Sequence, residues 1–355
     1  MRPLRQDRRP PTAAFTNDAV RSHLEYLVYY AETIPYAVER DEGLLMKILV
    51  YLEKAAVRGG IEVFAERHVA RLRSEKNEVE VSDAVDAFDA FDEVIVHKCT
   101  DVAMLEKFPP EKTTYYIHDH EPICPRSYAY TPFKRNCTCS GGLWPCILCA
   151  PVCRSWKVAL GRVFSQARRK RAMARFKRLV VISEFMKRRL VANGLPSERI
   201  EVRPPSISIS ESAVAAGCGK TGVDLLYVGQ LIRGKGVHLL LEAMARMKSQ
   251  RTLDIVGTGN MEGELRAIAE RFGLVGRVRF NGFQPNPQEW MRAAKCVVVP
   301  SFWQEPYGLV AAEAVALGRP VVAFAIGGLP EACGGKASLV PPGDVAALAR
   351  ALDVE

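Results

Sequence analysis

No apolar run in this 355-residue chain approaches the roughly 18 residues that would span a bilayer, so a membrane-crossing helix is not expected. The N-terminus, MRPLRQDRRPP, is basic, but no apolar core follows it directly, and a secretory signal is not indicated. The ten cysteines are therefore expected to be reduced, in a cytoplasmic setting. No Asp-x-Asp pair occurs anywhere, so a metal-bridged diphosphate is not indicated, and no nucleic-acid-binding motif is found. What is there is a globular composition, 48% hydrophobic and 25% charged, on a chain long enough for two cores.

The most informative stretch is EPYGLVAAEA, residues 305–314, which sets two carboxylates eight residues apart around a glycine that can open a helix. A helix starting near Gly308 leaves the N–H groups of about Gly308, Leu309 and Val310 without intrahelical acceptors at the positive end of the dipole, a site suited to a phosphate. Glu305 then lies in the loop before that site, and Glu313 more than a turn inside the helix. Two acidic acceptors around a phosphate cradle suit a molecule with sugar at one end and ribose at the other. The competing reading is two solvated charges on an ordinary helix. AAKCVVVPSFWQ before the stretch and ALGRPVVAFAIGGLPE after it complete a βαβ unit, whose ligands bind beyond the carboxyl ends of the strands.

These residues resemble the retaining, family-4 type glycosyltransferases of the GT-B fold, whose C-terminal halves carry EPxGLxxxEA. The resemblance extends, in order and spacing, to LYVGQLIRGKGVHLLLEAM, LDIVGTGNMEGEL from Leu253, VRFNGF from Val278, and GGLPEA followed by LVPPGD. It implies an α/β architecture of two Rossmann-like domains facing across a cleft. The first would span residues 46–205 with a Cys-rich insert at about 120–155, and the second, nucleotide-sugar-binding domain residues 206–355. Residues 1–45 lie outside the resemblance as a Pro/Arg-rich head and a helix capped by Asn17, with Met46 an alternative start. Family members usually continue past PPGDVAALARALDVE with further helices.

The first domain is expected to begin with MKILVYLEKAAVRGGIEVFAERHVARL, read as strand, glycine pair and amphipathic helix. Gly59 and Gly60 either bring backbone close to substrate or make an ordinary strand-to-helix turn. Asp83, Asp86, Asp89 and Asp92 read as one acidic, solvated helical face. TTYYIHDH gives a strand ending at His118, and KRLVVISEFMKRRLVANG a strand followed by a helix from about Ser183.

By resemblance, Glu313 accepts from ribose hydroxyls, Glu305 from hydroxyls of the transferred sugar, and Lys235 in RGKG opposes the diphosphate. His118 would sit near the transferred sugar, or else be a buried histidine bonded to backbone. Gly229, Gly257 and Gly259 would bring backbone close to the nucleotide. Gln230 stands where the family commonly has Arg, and Arg233 could substitute or be a solvated loop charge. The implied activity is metal-independent, retaining transfer of a sugar from a nucleotide-diphosphate sugar to a glycan or lipid-linked acceptor, in cell-surface polysaccharide synthesis. A non-catalytic sugar-nucleotide-binding or scaffold protein is the alternative, with hydrolysis or epimerisation of a nucleotide sugar a lesser one.

Two features fall outside that reading. Cys137, Cys139, Cys146, Cys149 and Cys153 crowd one insert, where they could hold a structural zinc or remain free thiols. Residues 154–190 carry thirteen Lys or Arg and one acid, Glu184, so this segment is +12 in a chain of +9. With Trp156, Val163, Phe164, Ala167 and Phe176 among the cations, it reads as a helix for an anionic membrane at the inner face of the cell membrane, or as a solvated basic face.

Overall fold

Runs such as KILVYL, EVIVHK and VDLLYV are apolar on both sides, the pattern of strands covered on both faces. The computed structural model describes residues 45–53, 60–85, 87–124, 137, 156–205, 207, 209 and 222–354, and builds these runs into two parallel six-stranded sheets. The N-terminal head, Gly59, Asp86, Cys139, Cys146, Cys149, Cys153 and the Trp156 side chain lie outside the described residues.

The first sheet contains β1 (Lys47–Leu52), β2 (Glu78–Ser82), β3 (Glu93–Lys98), β4 (Thr113–Ile117), β5 (Arg178–Val181) and β6 (Ile200–Val202) in the order β2-β1-β3-β4-β5-β6. Ile48, Val50, Ile95, Tyr116 and Val180 meet Val69 and Leu72 of helix α1 (Gly60–Ser74) on one face. Leu49, Val94, Val96, Ile117 and Leu179 pack on the other against α3 (Trp156–Met173) and α4 (Glu184–Ala192), while α2 (Val102–Lys107) adds Leu105. Alternate residues of each strand thus go to opposite cores, as the pleat requires.

The second sheet runs β12-β11-β10-β7-β8-β9. Its strands are β7 (Val223–Val228), β8 (Leu253–Val256), β9 (Val278–Phe280), β10 (Ala294–Val299), β11 (Val321–Phe324) and β12 (Ser338–Val340). Helices α5 (Val237–Arg246), α6 (Glu262–Arg271) and α10 (Val345–Val354) cover one face; α7 (Pro287–Ala293), α8 (Leu309–Ala316) and α9 (Leu329–Cys333) cover the other. The chain moves outward from β7 through β8 to β9, then returns to place β10 on the far side of β7. The loops after β7 and β10 therefore diverge and leave a crevice between them, the usual ligand position in a doubly wound sheet.

Two sequence expectations change. The acidic run is not a helical face: the described residues between 83 and 92 form bends and turns, Phe91 is buried, and the Asp92 carboxylate accepts from Lys47 N at 2.8 Å. The basic segment does form a helix, but part of it points inward. Val163, Met173 and Phe176 are core residues, Arg168 pairs with Glu106, and buried Arg169 donates to Cys99 O at 2.6 Å and Thr100 O at 2.7 Å. Phe164 and Arg171 are exposed. Arg169→Ala should thus cost about 3 kcal/mol, because two carbonyls lose charge-assisted bonds, whereas Arg171→Ala should be nearly neutral. Urea unfolding of the two variants measures the contrast, and equal midpoints would refute the inward role.

Candidate functional site

β7 ends at Val228, and after the loop through Gly229 the chain makes a single 3-10 turn, Arg233–Lys235, before entering α5. That turn brings Lys235 beneath the loop leaving β10. Lys235 Nζ lies 2.6 Å from Glu305 Oε1, and the same oxygen accepts from Trp303 Nε1 at 2.8 Å. The ammonium also sits 5.2 Å from the Trp303 ring centre, within cation–π range. Glu305 is buried, and burial by itself would push its carboxyl up. The Lys235 charge and hydrogen bonds from Lys235, Trp303 and Ser301 outweigh that and hold it below the usual carboxylate range. The two residues expected to act separately on sugar and diphosphate are thus one ion pair.

Past Glu305, Gly308 takes a φ of +113°, which non-glycine residues rarely adopt, and α8 starts at Leu309. The N–H groups of Gly308, Leu309 and Val310 occupy the start of this helix, as the sequence suggested. Glu313 lies inside α8 with no surface open to solvent. A ribose could reach it only if neighbouring residues moved.

Gly257 and Gly259 do allow a close backbone approach, but the backbone is the protein's own. A Cβ on Gly257 would fall 1.9 Å from Gly229 O, and one on Gly259 2.4 Å from Leu231 O. The loops after β7 and β8 are locked together there, and Gly257 N donates to Gly282 O at 2.7 Å. Arg233 faces Glu264 at 3.3 Å on the surface. Gly60 is the first residue of α1. Cys137 is half-buried and its carbonyl accepts from Gln304 Nε2 at 2.8 Å. Among the described residues no group of His, Cys, Asp and Glu could hold a metal ion.

The two sheets meet through the loops at their carboxyl ends. His120, just past β4, reaches Gln304 O at 2.8 Å. A carbonyl only accepts, so His120 Nε2 carries the proton. Ser183 caps α4 by accepting from Met186 N and donates to Pro306 O at 2.5 Å. Glu331 of α9 accepts from Glu184 N and Phe185 N at 2.6 and 2.7 Å, filling the exposed start of α4. His118 directly follows β4, half-buried, and burial pushes its imidazolium pKa down to about 4. Sequence reasoning missed Trp303, Ser301, His120 and Glu331; all four lie inside stretches named above, but no spacing rule joins them to their partners. A separate cavity of about 580 Å³, lined by residues including Lys177, Lys187, Arg199 and Glu201, contains none of these candidate residues.

Residues 222–354 match the family model described as Glycosyl transferases group 1. A D-inositol 3-phosphate glycosyltransferase of Jonesia denitrificans is 38% identical over 142 residues, 36% of this chain and 33% of its own. A glycogen synthase of Mycobacterium tuberculosis is 38% identical over 146 residues, 39% of this chain and 35% of its own. The chain thus spans about a third of the length of these curated relatives. The fold is similar over most of the chain to Anabaena Alr3699/HepE, solved with UDP and glucose (TM-score 0.61, 21% identity, 87% of this chain and 89% of that one). It is also similar to WaaG, a glycosyltransferase of lipopolysaccharide biosynthesis (TM-score 0.58, 20% identity, 86% and 90%). The architecture is accordingly that of GT-B glycosyltransferases.

The Lys235–Glu305 pair gives a pH signature. A carboxyl held below its unfolded pKa of about 4.3 adds stability at neutral pH, and that stability is lost as pH falls through the lowered value. In Lys235→Met burial acts on Glu305 without its cation, the pKa rises, and stability is instead lost as pH increases. The gap in Tm between parent and variant should therefore widen from pH 4 to pH 7.5. A gap independent of pH would sink the pairing.

Proposed function

We propose that this protein is a retaining glycosyltransferase that moves a sugar from a nucleotide-diphosphate sugar to a glycan or lipid-linked acceptor in cell-surface polysaccharide synthesis. The observation that carries the reading is the ion pair of half-buried Lys235 with buried Glu305 beside the N-terminus of α8, at the crevice between β7 and β10. A pyrophosphate placed there meets helix N–H groups and an ammonium, and needs no metal for neutralisation. The group 1 match over residues 222–354 and the likeness in fold to a protein solved with UDP and glucose support the assignment.

In this mechanism the acceptor oxygen attacks the anomeric carbon from the face that the diphosphate leaves. The carbon–oxygen bond to phosphate breaks as the new glycosidic bond forms, and the acceptor's proton passes to the departing phosphate oxygen. The protein aligns the partners and stabilises charge developing on the diphosphate, a role for preorganised dipoles and cations. Glu305 would orient the transferred sugar, Glu313 the ribose, and His118 would face the sugar from the first domain. Membrane association, if lipid-linked acceptors are used, would fall to the exposed part of α3 around Phe164 and Arg171, since Arg168 and Arg169 are engaged within the domain.

Release of nucleoside diphosphate from a panel of donors, with and without membrane extract, tests the reading. Turnover that requires an acceptor supports it, binding without turnover favours a non-catalytic sugar-nucleotide protein, and release without an acceptor favours hydrolysis. Glu305→Ala should lower kcat more than it alters calorimetric binding of the bare nucleotide, because the nucleotide lacks the sugar that Glu305 would orient. Lys235→Ala should weaken both, by about 2–4 kcal/mol in the transition state. Glu313→Ala should cost mainly donor affinity. An Glu305→Ala enzyme working at the parent rate would refute the assignment. For the insert cysteines, elemental analysis of untagged protein should find about one equivalent of metal if they form a zinc site. Less than a tenth of an equivalent favours free thiols.

A further inference from the structure

Trp303 is the residue of this site that the function proposed above leaves without a task. It stands two positions before Glu305, and its indole Nε1 donates to Glu305 Oε1 at 2.8 Å, the same oxygen that lies 2.6 Å from Lys235 Nζ. The ammonium in turn lies 5.2 Å from the Trp303 ring centre. Lys235, Trp303 and Glu305 therefore form a closed triangle in which each group attracts the other two. Two glycines make room for it. Gly234 and Gly236 flank Lys235, and a Cβ would fall 2.7 Å from the Trp303 ring at the first and 1.9 Å from Pro300 O at the second. Phe302 N and Trp303 N both donate to Gly234 O, so the indole is fixed against the turn that carries the lysine.

The donors on Glu305 differ in kind. Lys235 brings a full charge, which the diphosphate of a donor would also draw, because attraction between two ions exceeds attraction between an ion and a neutral N–H. The Trp303 N–H is neutral and is subject to far less of that competition. A carboxylate offers about four lone-pair sites. Lys235, Trp303 and the Ser301 hydroxyl take three of them, which leaves about one for a ligand hydroxyl, in a direction set by the donors that hold the others.

We propose that Trp303 is a positioning residue: its indole N–H holds the Glu305 carboxylate in place as Lys235 is drawn to the diphosphate, so that Glu305 stays aligned for a hydroxyl of the transferred sugar. The sugar contact rests on the function proposed above; the hold on the carboxylate does not. The lysine can then serve the diphosphate without releasing the group that orients the sugar.

Two variants of the full chain test this. Lys235→Met imitates the departure of the ammonium without any ligand. In nitrogen-15 spectra at pH 7.5 the Trp303 indole N–H, assigned through its contacts with Gly234 protons, should keep the downfield, slowly exchanging signal of a bonded group in both the parent and Lys235→Met. Trp303→Phe keeps a ring against Gly234 and loses the N–H. With a turned-over donor its kcat should fall roughly three- to tenfold, the worth of one hydrogen bond, and its calorimetric affinity for the bare nucleoside diphosphate should change less. A Trp303 signal that becomes that of a free indole in Lys235→Met would overturn the proposal. So would a parental kcat in Trp303→Phe, or equal losses of kcat and nucleotide affinity, which would assign the ring to packing alone. The spectra retain Trp303 and the kinetics retain Lys235, so a variant that fails to fold in one arm leaves the other standing. If no donor is turned over, the functional reading fails while the Lys235→Met spectrum still decides the hold.

Discussion

The second domain's crevice is bridged by one charge pair, half-buried Lys235 on buried Glu305. β7 and β10 are neighbours, but the chain leaves them in opposite directions, and the 3-10 turn and the loop from Pro300 to Gly308 would separate without a bridge. Glu305 supplies it by accepting from Lys235 and Trp303. Backbone reinforces the contact: Phe302 N and Trp303 N both reach Gly234 O, and a Cβ on Gly234 would stand 2.7 Å from the Trp303 ring. A buried carboxylate without its cation is strongly unfavourable, so removing Lys235 disturbs the shape of the loop before α8 as well as its potential.

The same loop also carries the seam between the domains. Gln304 O receives His120 and Pro306 O receives Ser183, one residue on each side of Glu305. Glu331, a short distance along the chain from α8, caps the first-domain helix α4. Any change in the angle between the sheets must therefore pull on the backbone that fixes the Glu305 carboxylate. The angle between the sheets and the position of the Glu305 carboxylate thus depend on the same loop backbone. The link from Gln304 Nε2 to Cys137 O extends this coupling to the edge of the Cys-rich insert.

Local signals in the sequence were legible where one element carried the whole pattern. Glycine before an apolar helical run located the start of α8, and Ser183 before a helical run located the start of α4. Apolar strands bounded by turn residues gave the α/β class. Pairs far apart in sequence were not legible: Lys235 and Glu305 are 70 positions apart, and nothing in either motif announces that they bind each other. The acidic run had helical spacing, but tertiary anchors decide its path, with Asp92 bonded to the backbone of β1 and Phe91 drawn into the core. The basic segment misled for a related reason. A charge count treats every guanidinium as surface, whereas Arg169 turns inward to satisfy carbonyls just beyond β3. His68 and His97 lie 29 positions apart with no shared motif, and only the packing of α1 on the sheet brings them together.

The two walls of the cleft also differ in how they treat protons. On the first-domain side, burial keeps His97 and His118 neutral, and Asp119 is pushed up to about 6 by the same desolvation. On the second-domain side, Glu305 remains ionised with its charge compensated, which makes it a weak base. A neutral imidazole whose conjugate acid has a pKa of about 4 is a poor proton source at pH 7, and a carboxylate engaged by an ammonium and an indole is a poor acceptor. The proposed mechanism asks for neither, because the departing phosphate takes the acceptor's proton. What it asks of these groups is a neutral wall on one side and a fixed charge on the other, and the burial that disables them as acids and bases is part of what confers both properties.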